Sequence, residues 1–421
     1  MNHVPVAIIG GGAAGVAAAR TLADAGVDTL TLEASDRLGG RAHTIHIAGM
    51  PLDLGAGWLH SAEHNPWVGV AEASGFTVDR TLPRWREQWR ALGFGKAEQA
   101  AAGAAFAAFV ERMRADPPVS DRAADALLPR CEWNGYLDAL SGYINGAGNA
   151  EVSIADYLAY DDAATETDWR VAEGYGALVA AHGARLRVSL ATPVTAVDGS
   201  GTRLRIETRG GTVEADAAIV TVSTNVLARG AIRFDAALDP VLHAAAQLPL
   251  GLADKLFFAL DGDDEIDADA HLLGNPREAI TATYTLRPMG RPVIEAMFGG
   301  EGARSMEAEG LDGAAAFALD ELCALLGSAW RKRLRLLAGS AWGRDDFILG
   351  SYSHALPSAA AARGTLATPV DPRIRFAGEA CSPNNFSTAH GAYLTGVDAA
   401  RALLAERYAP ESISRFRHPG C

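Results

Sequence analysis

Glycines 10, 12 and 15 stand between two apolar runs, and that arrangement constrains the start of the chain more than any other feature does. The run at residues 4–9 reads as a strand, the alanine-rich stretch to residue 25 as a helix, and the run at residues 29–32 as a second strand. Each glycine has its own task. Gly10 permits a tight turn, Gly12 lets the backbone approach a pyrophosphate, and Gly15 lets helix and strand pack closely; Ala14 lies beside it at the helix start. The free N–H groups and positive dipole end of the helix favour an anion there. Glu33 ends the second strand, 18 residues after Gly15, where a carboxylate accepts both ribose hydroxyls of an adenosine and repels a 2'-phosphate. The unit predicts a dinucleotide site in a Rossmann-type α/β fold.

The chain of 421 residues, 49% of them apolar, is long enough for a large core and two domains. Its net charge of -14 argues against nucleic acid as a partner and favours the attraction of cations. No stretch is long and apolar enough to span a bilayer, and the first residues run straight into a strand, so the expectation is a cytoplasmic protein without a membrane partner. Cys131, Cys323, Cys381 and Cys421 show neither metal spacing nor a disulfide framework, and no metal site is expected.

Beyond the first unit, residues 50–60 give a short strand and a turn of small residues, Gly55, Ala56 and Gly57, before Trp58. Small residues there let the backbone lie against a flat ring. From about residue 81 to 160 the texture becomes helical, with a helix expected over 97–113 and prolines 117, 118 and 129 as breaks. Strands are expected again at 186–188, 192–197, 204–208, 217–222 and 251–260, with a helix at 314–326. Asp261, Asp263, Asp264, Glu265, Asp267 and Asp269 form an acidic run, which reads as a solvated loop. The chain closes with a strand, a glycine turn and a helix.

The run Leu38-Gly39-Gly40-Arg41, just after Glu33, resembles the glutathione-reductase-like FAD fold and its amine oxidase and phytoene desaturase branch. Further blocks resemble flavin-containing amine oxidases: residues 53–60, 169–179, 255–258 and 342–400, including Gly350-Ser-Tyr-Ser353, Phe376-Ala-Gly-Glu379 and the stretch from His390 to Gly396. The resemblance implies a two-domain FAD-binding fold with an α+β substrate-binding domain. The FAD-binding part would be residues 1–78, 175–247 and 341–421, and the substrate part 79–174 and 248–340.

The same resemblance implies the site. Arg41 would reach the diphosphate, Val194 would lend its backbone to adenine, Trp342 would lie beside the isoalloxazine, and Gly378 and Glu379 would meet the ribityl or diphosphate part. Thr388 and Ala389 begin the last helix, whose N-terminus would point at the flavin. Lys255, on a strand face it shares with Phe257, would face flavin N5 and serve reoxidation by O2. Tyr352 and Tyr393 would flank the substrate amine as an aromatic cage. His60, in GAGWLH, resembles the histidine of animal polyamine oxidases that contacts the amine chain. Ser351 stands where mitochondrial-type monoamine oxidases carry a flavin-bonded cysteine, so FAD would be held non-covalently.

The expected activity is FAD-dependent oxidation of an amine C–N bond with O2 as acceptor and H2O2 as product, on a polyamine or another small amine. A desaturase of apolar substrates, an L-amino acid oxidase and an inert flavoprotein are the other readings.

Overall fold

The computed structural model describes residues 2–262 and 266–407. Asp263, Asp264, Glu265 and Cys421 lie outside the described residues, as does the end of the last expected segment.

The strand Asn2–Ile9 sits inside an eight-stranded sheet. It pairs in parallel with Gly211–Val220 on one side and Thr29–Leu32 on the other. These central strands carry few polar side chains because both faces are covered, as parallel strands require. Val4, Val6, Ala7 and Ile8 are fully buried. The helix Ala13–Asp24 packs on one face together with the closing helix Ala389–Arg407, which crosses it at Gly396, where a methyl group would stand 2.2 Å from the Ala14 carbonyl oxygen. The strand Ile374–Phe376 joins Gly211–Val220 in parallel, so chain start, middle and end meet in one sheet.

A second, antiparallel sheet of five strands runs in the order Ala270–Leu273, Thr283–Leu286, Val293–Gly299, Ala253–Leu260, Leu334–Gly339. One face rests on the helix Glu301–Leu326 through a core that includes Leu256, Phe258, Phe298, Ala318 and Leu322. That helix begins thirteen residues before the expected 314 and breaks at Gly310, whose φ of +74° an L side chain rarely adopts. The polar first half of the helix hid it from a reading based on apolar periodicity.

The helical expectation for residues 81–160 holds. Lys96–Ala115, Asn134–Asn145 and Ile154–Ala163 are helices, and the first ends just before Pro117 and Pro118. The strand expected over 217–222 is longer and earlier, Gly211–Val220, because its first half pairs with Leu204–Thr208 as a hairpin.

Candidate active site

The glycine turn behaves as its spacing demands. Gly10 has φ +106°, and a methyl group on Gly15 would stand 1.9 Å from the Gly10 carbonyl oxygen, so strand and helix touch there. Gly12 differs, since a Cβ on it would meet no protein atom closer than 3.9 Å. It caps the helix without a side-chain hydrogen bond, and the first turn carries no acidic residue. An open approach to uncapped N–H groups is the surface a diphosphate fits. Glu33 is buried and accepts from the Gly11 amide at 2.5 Å and the Ser35 amide at 2.7 Å. A carboxylate has about four lone-pair sites, so two remain for ribose hydroxyls. Val194 is buried at the start of the strand Val194–Asp198, two residues after Thr192, whose amide donates to the Glu33 carbonyl at 2.7 Å. These residues fit the ADP half of FAD.

A second cluster forms where the turn Gly55-Ala56-Gly57 passes between three of the expected residues. A methyl group on Gly55 would stand 1.9 Å from the Arg41 carbonyl oxygen and 2.9 Å from the Trp342 ring, and one on Gly57 would stand 3.2 Å from Lys255 Nζ. Trp342 donates its ring N–H to the Leu54 carbonyl at 3.1 Å, and Ala56 donates its amide to the Arg41 carbonyl. Asp53 ties this turn to the next element: its carboxylate accepts from Thr44 Oγ1 and from the Tyr175 and Gly176 amides at the start of the helix Tyr175–Gly183. Burial pushes the Asp53 carboxyl above its usual range.

Lys255 is buried, on the face it shares with Phe257, as strand alternation predicts. Its ammonium is not solitary. Lys255 stands opposite Met297 and Phe257 opposite Glu295, so Glu295 is the diagonal neighbour of Lys255, and the two form an ion pair at 2.8 Å. Lys255 Nζ also donates to the Asp53 carbonyl at 3.2 Å. A pocket open to solvent lies beside this pair, lined by Gly57, Trp58, Arg170, Phe257 and Glu295 among others.

Two expected roles are corrected. Glu379, after Gly378 with its φ of +152°, accepts four hydrogen bonds from protein: Arg41 Nη1 at 2.8 Å, Ser353 N at 3.2 Å, Ser353 Oγ at 2.6 Å and Ser387 N at 2.8 Å. Burial alone would push its pKa up, but the Arg41 and Arg363 guanidiniums and the Ser353 hydroxyl hold it below the usual range. One of these bonds holds Arg41, whose Nη1 also donates to the Ser351 carbonyl at 2.7 Å, and the other three come from Ser353 and Ser387, so the Glu379 lone pairs are taken up within the protein.

The paired tyrosines sit in different surroundings. Tyr352 is half-buried and donates its hydroxyl to the Tyr143 carbonyl at 2.5 Å. Tyr393 follows Ala389 by one helical turn and shares its face; Ala389 accepts the Trp67 ring N–H, and Tyr393 lies edge-on to Trp67 at 5.1 Å and near His182 at 6.2 Å. Tyr393 is therefore a packing residue. Thr388 is likewise occupied, donating to the Asn385 carbonyl at 2.6 Å and accepting from the Gly391 amide.

His60 lies beside a partner that sequence reasoning missed. Leu59 and Trp169 form an isolated antiparallel bridge, which sets His60 next to Asp168, with Nδ1 and Oδ1 2.9 Å apart. The Trp58 and Trp85 rings meet edge-on at 4.8 Å, and Trp85 is also 6.2 Å from His60. The only available sign was that Asp168 directly precedes the block that begins at Trp169. Ser351 exchanges hydrogen bonds with the Ala253 backbone, and burial pushes the Cys381 thiol up to about 12. The acidic run is not wholly solvated, because Asp269 and Asp79 clamp Arg170 at 2.5 and 2.7 Å. Among the described residues no group of His, Cys, Asp and Glu is arranged to hold a metal ion, and no helix is long and apolar enough to cross a membrane.

The chain is similar to known proteins over most of its length. A family model for flavin containing amine oxidoreductases matches residues 13–137 and 106–404. Polyamine oxidase 2 of Arabidopsis thaliana is 30% identical, over 96% of this chain and 89% of its own. Polyamine oxidase 3 of Oryza sativa subsp. japonica is 29% identical, over 99% and 93%. A solved structure of putrescine oxidase bound to putrescine superimposes with a TM-score of 0.77 at 18% identity, covering 96% of this chain and 99% of that one, and so shares the fold.

Proposed function

We propose that this chain, which belongs to the flavin-containing amine oxidoreductase family, oxidises the C–N bond of a polyamine or another small amine, with FAD bound non-covalently and O2 as acceptor. The observation that carries this reading is the convergence of Arg41, the Gly55–Gly57 turn, Trp342 and Lys255 beside a pocket, with Arg41 directly following the Gly39–Gly40 segment that bridges to Gly12 at the open helix start. FAD held by these residues would supply a hydride acceptor for the carbon next to the substrate nitrogen and a two-electron donor to O2, the chemistry that turns an amine and O2 into an imine, which water hydrolyses, and H2O2.

The chain's own residues bind, orient and desolvate. The first turn of the helix Ala13–Asp24 would hold the diphosphate, Glu33 the ribose, Arg41 a charged or carbonyl oxygen near the turn, and Trp342 a flat ring face. Tyr352 supplies one aromatic wall. Tyr393 supplies none, so the amine is not caged between two tyrosines here. Trp58 and Trp85 offer ring faces and edges to an alkylamine chain. Lys255, ion-paired with Glu295 beside the apolar Phe257, is placed to stabilise negative charge that develops on reduced oxygen. With Ser351 hydrogen-bonded to backbone and no cysteine at that position, the protein supplies no sulfur there for a covalent flavin link.

An L-amino acid substrate would need a free arginine to hold its carboxylate. The arginines lining the cavity are committed: Arg170 to Asp79 and Asp269, Arg291 to the Pro51 and Ala172 carbonyls. The test is anaerobic mixing of the yellow protein with spermine, spermidine, putrescine, benzylamine and L-amino acids, followed by air. Bleaching of the flavin band by polyamines, with recovery and peroxide on aeration, is the expected result. Absence of bleaching by every amine would refute the reading.

A further inference from the structure

We propose that Asp254 and Glu307 share a single proton at neutral pH, and that this acid pair is the positioning device that seats Trp342 and Lys255 for the flavin; this rests on the amine oxidase reading above. Two carboxyls facing each other inside a fold are costly to hold, and neither the dinucleotide motif nor the amine chemistry accounts for them. Neither acid lines the pocket beside Lys255, so each acts through the residues it holds.

The geometry brings the two acids to one turn. Asp254 lies near the start of the strand Ala253–Leu260 and is fully buried; alternation sends its side chain to the face of Leu256 and Phe258, opposite to Lys255. Its Oδ1 accepts from Ser340 Oγ at 2.7 Å and from the Trp342 amide at 3.0 Å. The next amide, that of Gly343, donates to Glu307 Oε1 at 2.7 Å. Successive amides of one turn are thus taken by an acid from a strand and an acid from the helix Glu301–Leu326. Ser340 extends the set to Lys255, because its Oγ accepts the Lys255 amide at 2.9 Å and its own amide donates to the Lys255 carbonyl at 3.0 Å. The fit is close, since a methyl group on Gly343 would stand 2.7 Å from Glu307 Oε2.

The proton follows from what Asp254 Oδ2 meets. That atom is buried and has no N–H or O–H donor among the described residues, and it faces the Glu307 carboxyl. Two ionised carboxylates offer each other only lone pairs and repel; one proton between them turns the contact into a charge-assisted O–H···O bond. Burial is the main reason the Asp254 carboxyl stands at about 7, with Glu307 adding to it and the Ser340 and Trp342 donors opposing both. The other charged groups nearby are spoken for. Lys255 and Glu295 pair with each other on the opposite face, and Asp254 stands across from the uncharged Phe298. Arg304, one turn before Glu307, pairs with Glu151 and Glu301, and Glu309 is exposed. Arg344, from the turn, donates to the Glu307 main-chain carbonyl. Tyr352 is pushed up by burial first, then by Tyr160 and Asp254, and burial raises Tyr143 likewise, so both stay neutral.

At neutral pH the pair carries one negative charge and ties strand, helix and turn together, fixing Trp342 through its amide and Lys255 through Ser340. As pH rises beyond about 7, Asp254 releases the proton to solvent and Oδ2 becomes a second anion against Glu307, buried and without a donor. The turn that carries Trp342 is then pushed from its seat, and FAD loosens. The sign for stability follows from linkage. The folded chain keeps a proton that a free aspartate, at 3.8, has already released, so the contribution is complete below about pH 4 and is lost as pH rises through about 7. It runs opposite to that of the buried histidines, which is why the test compares variants at each pH.

The test takes melting curves and infrared spectra of the full chain as wild type, Asp254→Asn and Glu307→Gln across the range from acid to pH 9, with FAD titrations of the apoproteins. Asparagine keeps Oδ1 as the acceptor for Ser340 and Trp342 and offers Glu307 a permanent N–H in place of the proton. The Tm of Asp254→Asn minus that of the wild type should therefore climb between about pH 4 and about pH 7 and level off above. At pH 6 the wild type should show protonated-carboxyl absorption that both variants lack. Between pH 7 and 9 the wild type should lose FAD affinity about 10-fold or more, and Asp254→Asn less than about threefold. A flat Tm difference, or carboxyl absorption unchanged in both variants, would overturn the shared proton. Equal pH dependence of FAD affinity in the wild type and Asp254→Asn would overturn the positioning role. Each of these leaves the amine oxidase reading standing, whereas a wild type that binds no FAD at any pH would overturn both.

Discussion

Replacing Gly12 and Gly15 by alanine separates a glycine needed by the fold from one needed by the ligand. At Gly15 the new methyl carbon falls 1.9 Å from the Gly10 carbonyl oxygen, about half the resting separation of two non-bonded carbons. Helix and strand must part, and overpacking of this kind costs about 1–3 kcal/mol, a few degrees in Tm, before any cofactor is present. At Gly12 the nearest protein atom is 3.9 Å away and φ is -76°, which alanine adopts freely. Alanine is a poorer N-cap than glycine but loses less chain entropy on folding, and each effect is under about 1 kcal/mol. The Gly12→Ala apoprotein should therefore melt within about 0.5 kcal/mol of the wild type. With FAD the order reverses, because the methyl group occupies the approach of the diphosphate. A penalty of about 1–3 kcal/mol weakens FAD about 5- to 150-fold. Flavin fluorescence titration of the apoproteins, alongside melting curves, checks both halves. Wild-type FAD affinity in Gly12→Ala would refute the placement of the diphosphate on that helix.

Lys255→Met should slow reoxidation of the reduced flavin by O2 at least tenfold while leaving anaerobic bleaching by amine within a few-fold, read in separate stopped-flow experiments; equal slowing of both halves would contradict the role given to Lys255. Tyr393→Leu should lower Tm through lost packing on Trp67 yet leave KM for the amine unchanged, whereas Tyr352→Leu should raise KM or lower kcat, as steady-state kinetics will show. His271, His354 and His390 are each held at about 4 by burial, below their ordinary 6.5. Their contribution to stability is complete above pH 6.5 and is lost as pH falls toward 4, because the unfolded chain binds those protons first. Tm measured across that window should drop. His354→Leu should flatten the drop, since neither ring nitrogen of His354 has a partner to lose.

The glycine turn, the alternating strand of Lys255 and the helical middle of the chain were legible in the sequence because their causes are local. A positive φ, a two-residue period and a proline break act within a few residues. The blocks around Arg41, Gly55 and Trp342 were legible as a set, and the fold brings them to one turn. Tyr393 was misread because its spacing does not say which face of the closing helix turns inward; the contact of Gly396 with Ala14 decides that, and it sends Tyr393 toward Trp67. Glu379 was misread because the donors that fill its lone pairs come from residues 41, 353 and 387.

By itself, then, the sequence determined the dinucleotide unit, the strands that return to its sheet, the helical middle and the residue types available for amine chemistry, but not four of the five strands of the second sheet. Tertiary structure alone decided the pairings those residues make. Glu295 reaches Lys255 through the register of two antiparallel strands, and Asp168 reaches His60 through a single bridge between segments 108 residues apart. Such pairs leave no periodic trace, because a hydrogen bond depends on distance in space and not on separation along the chain.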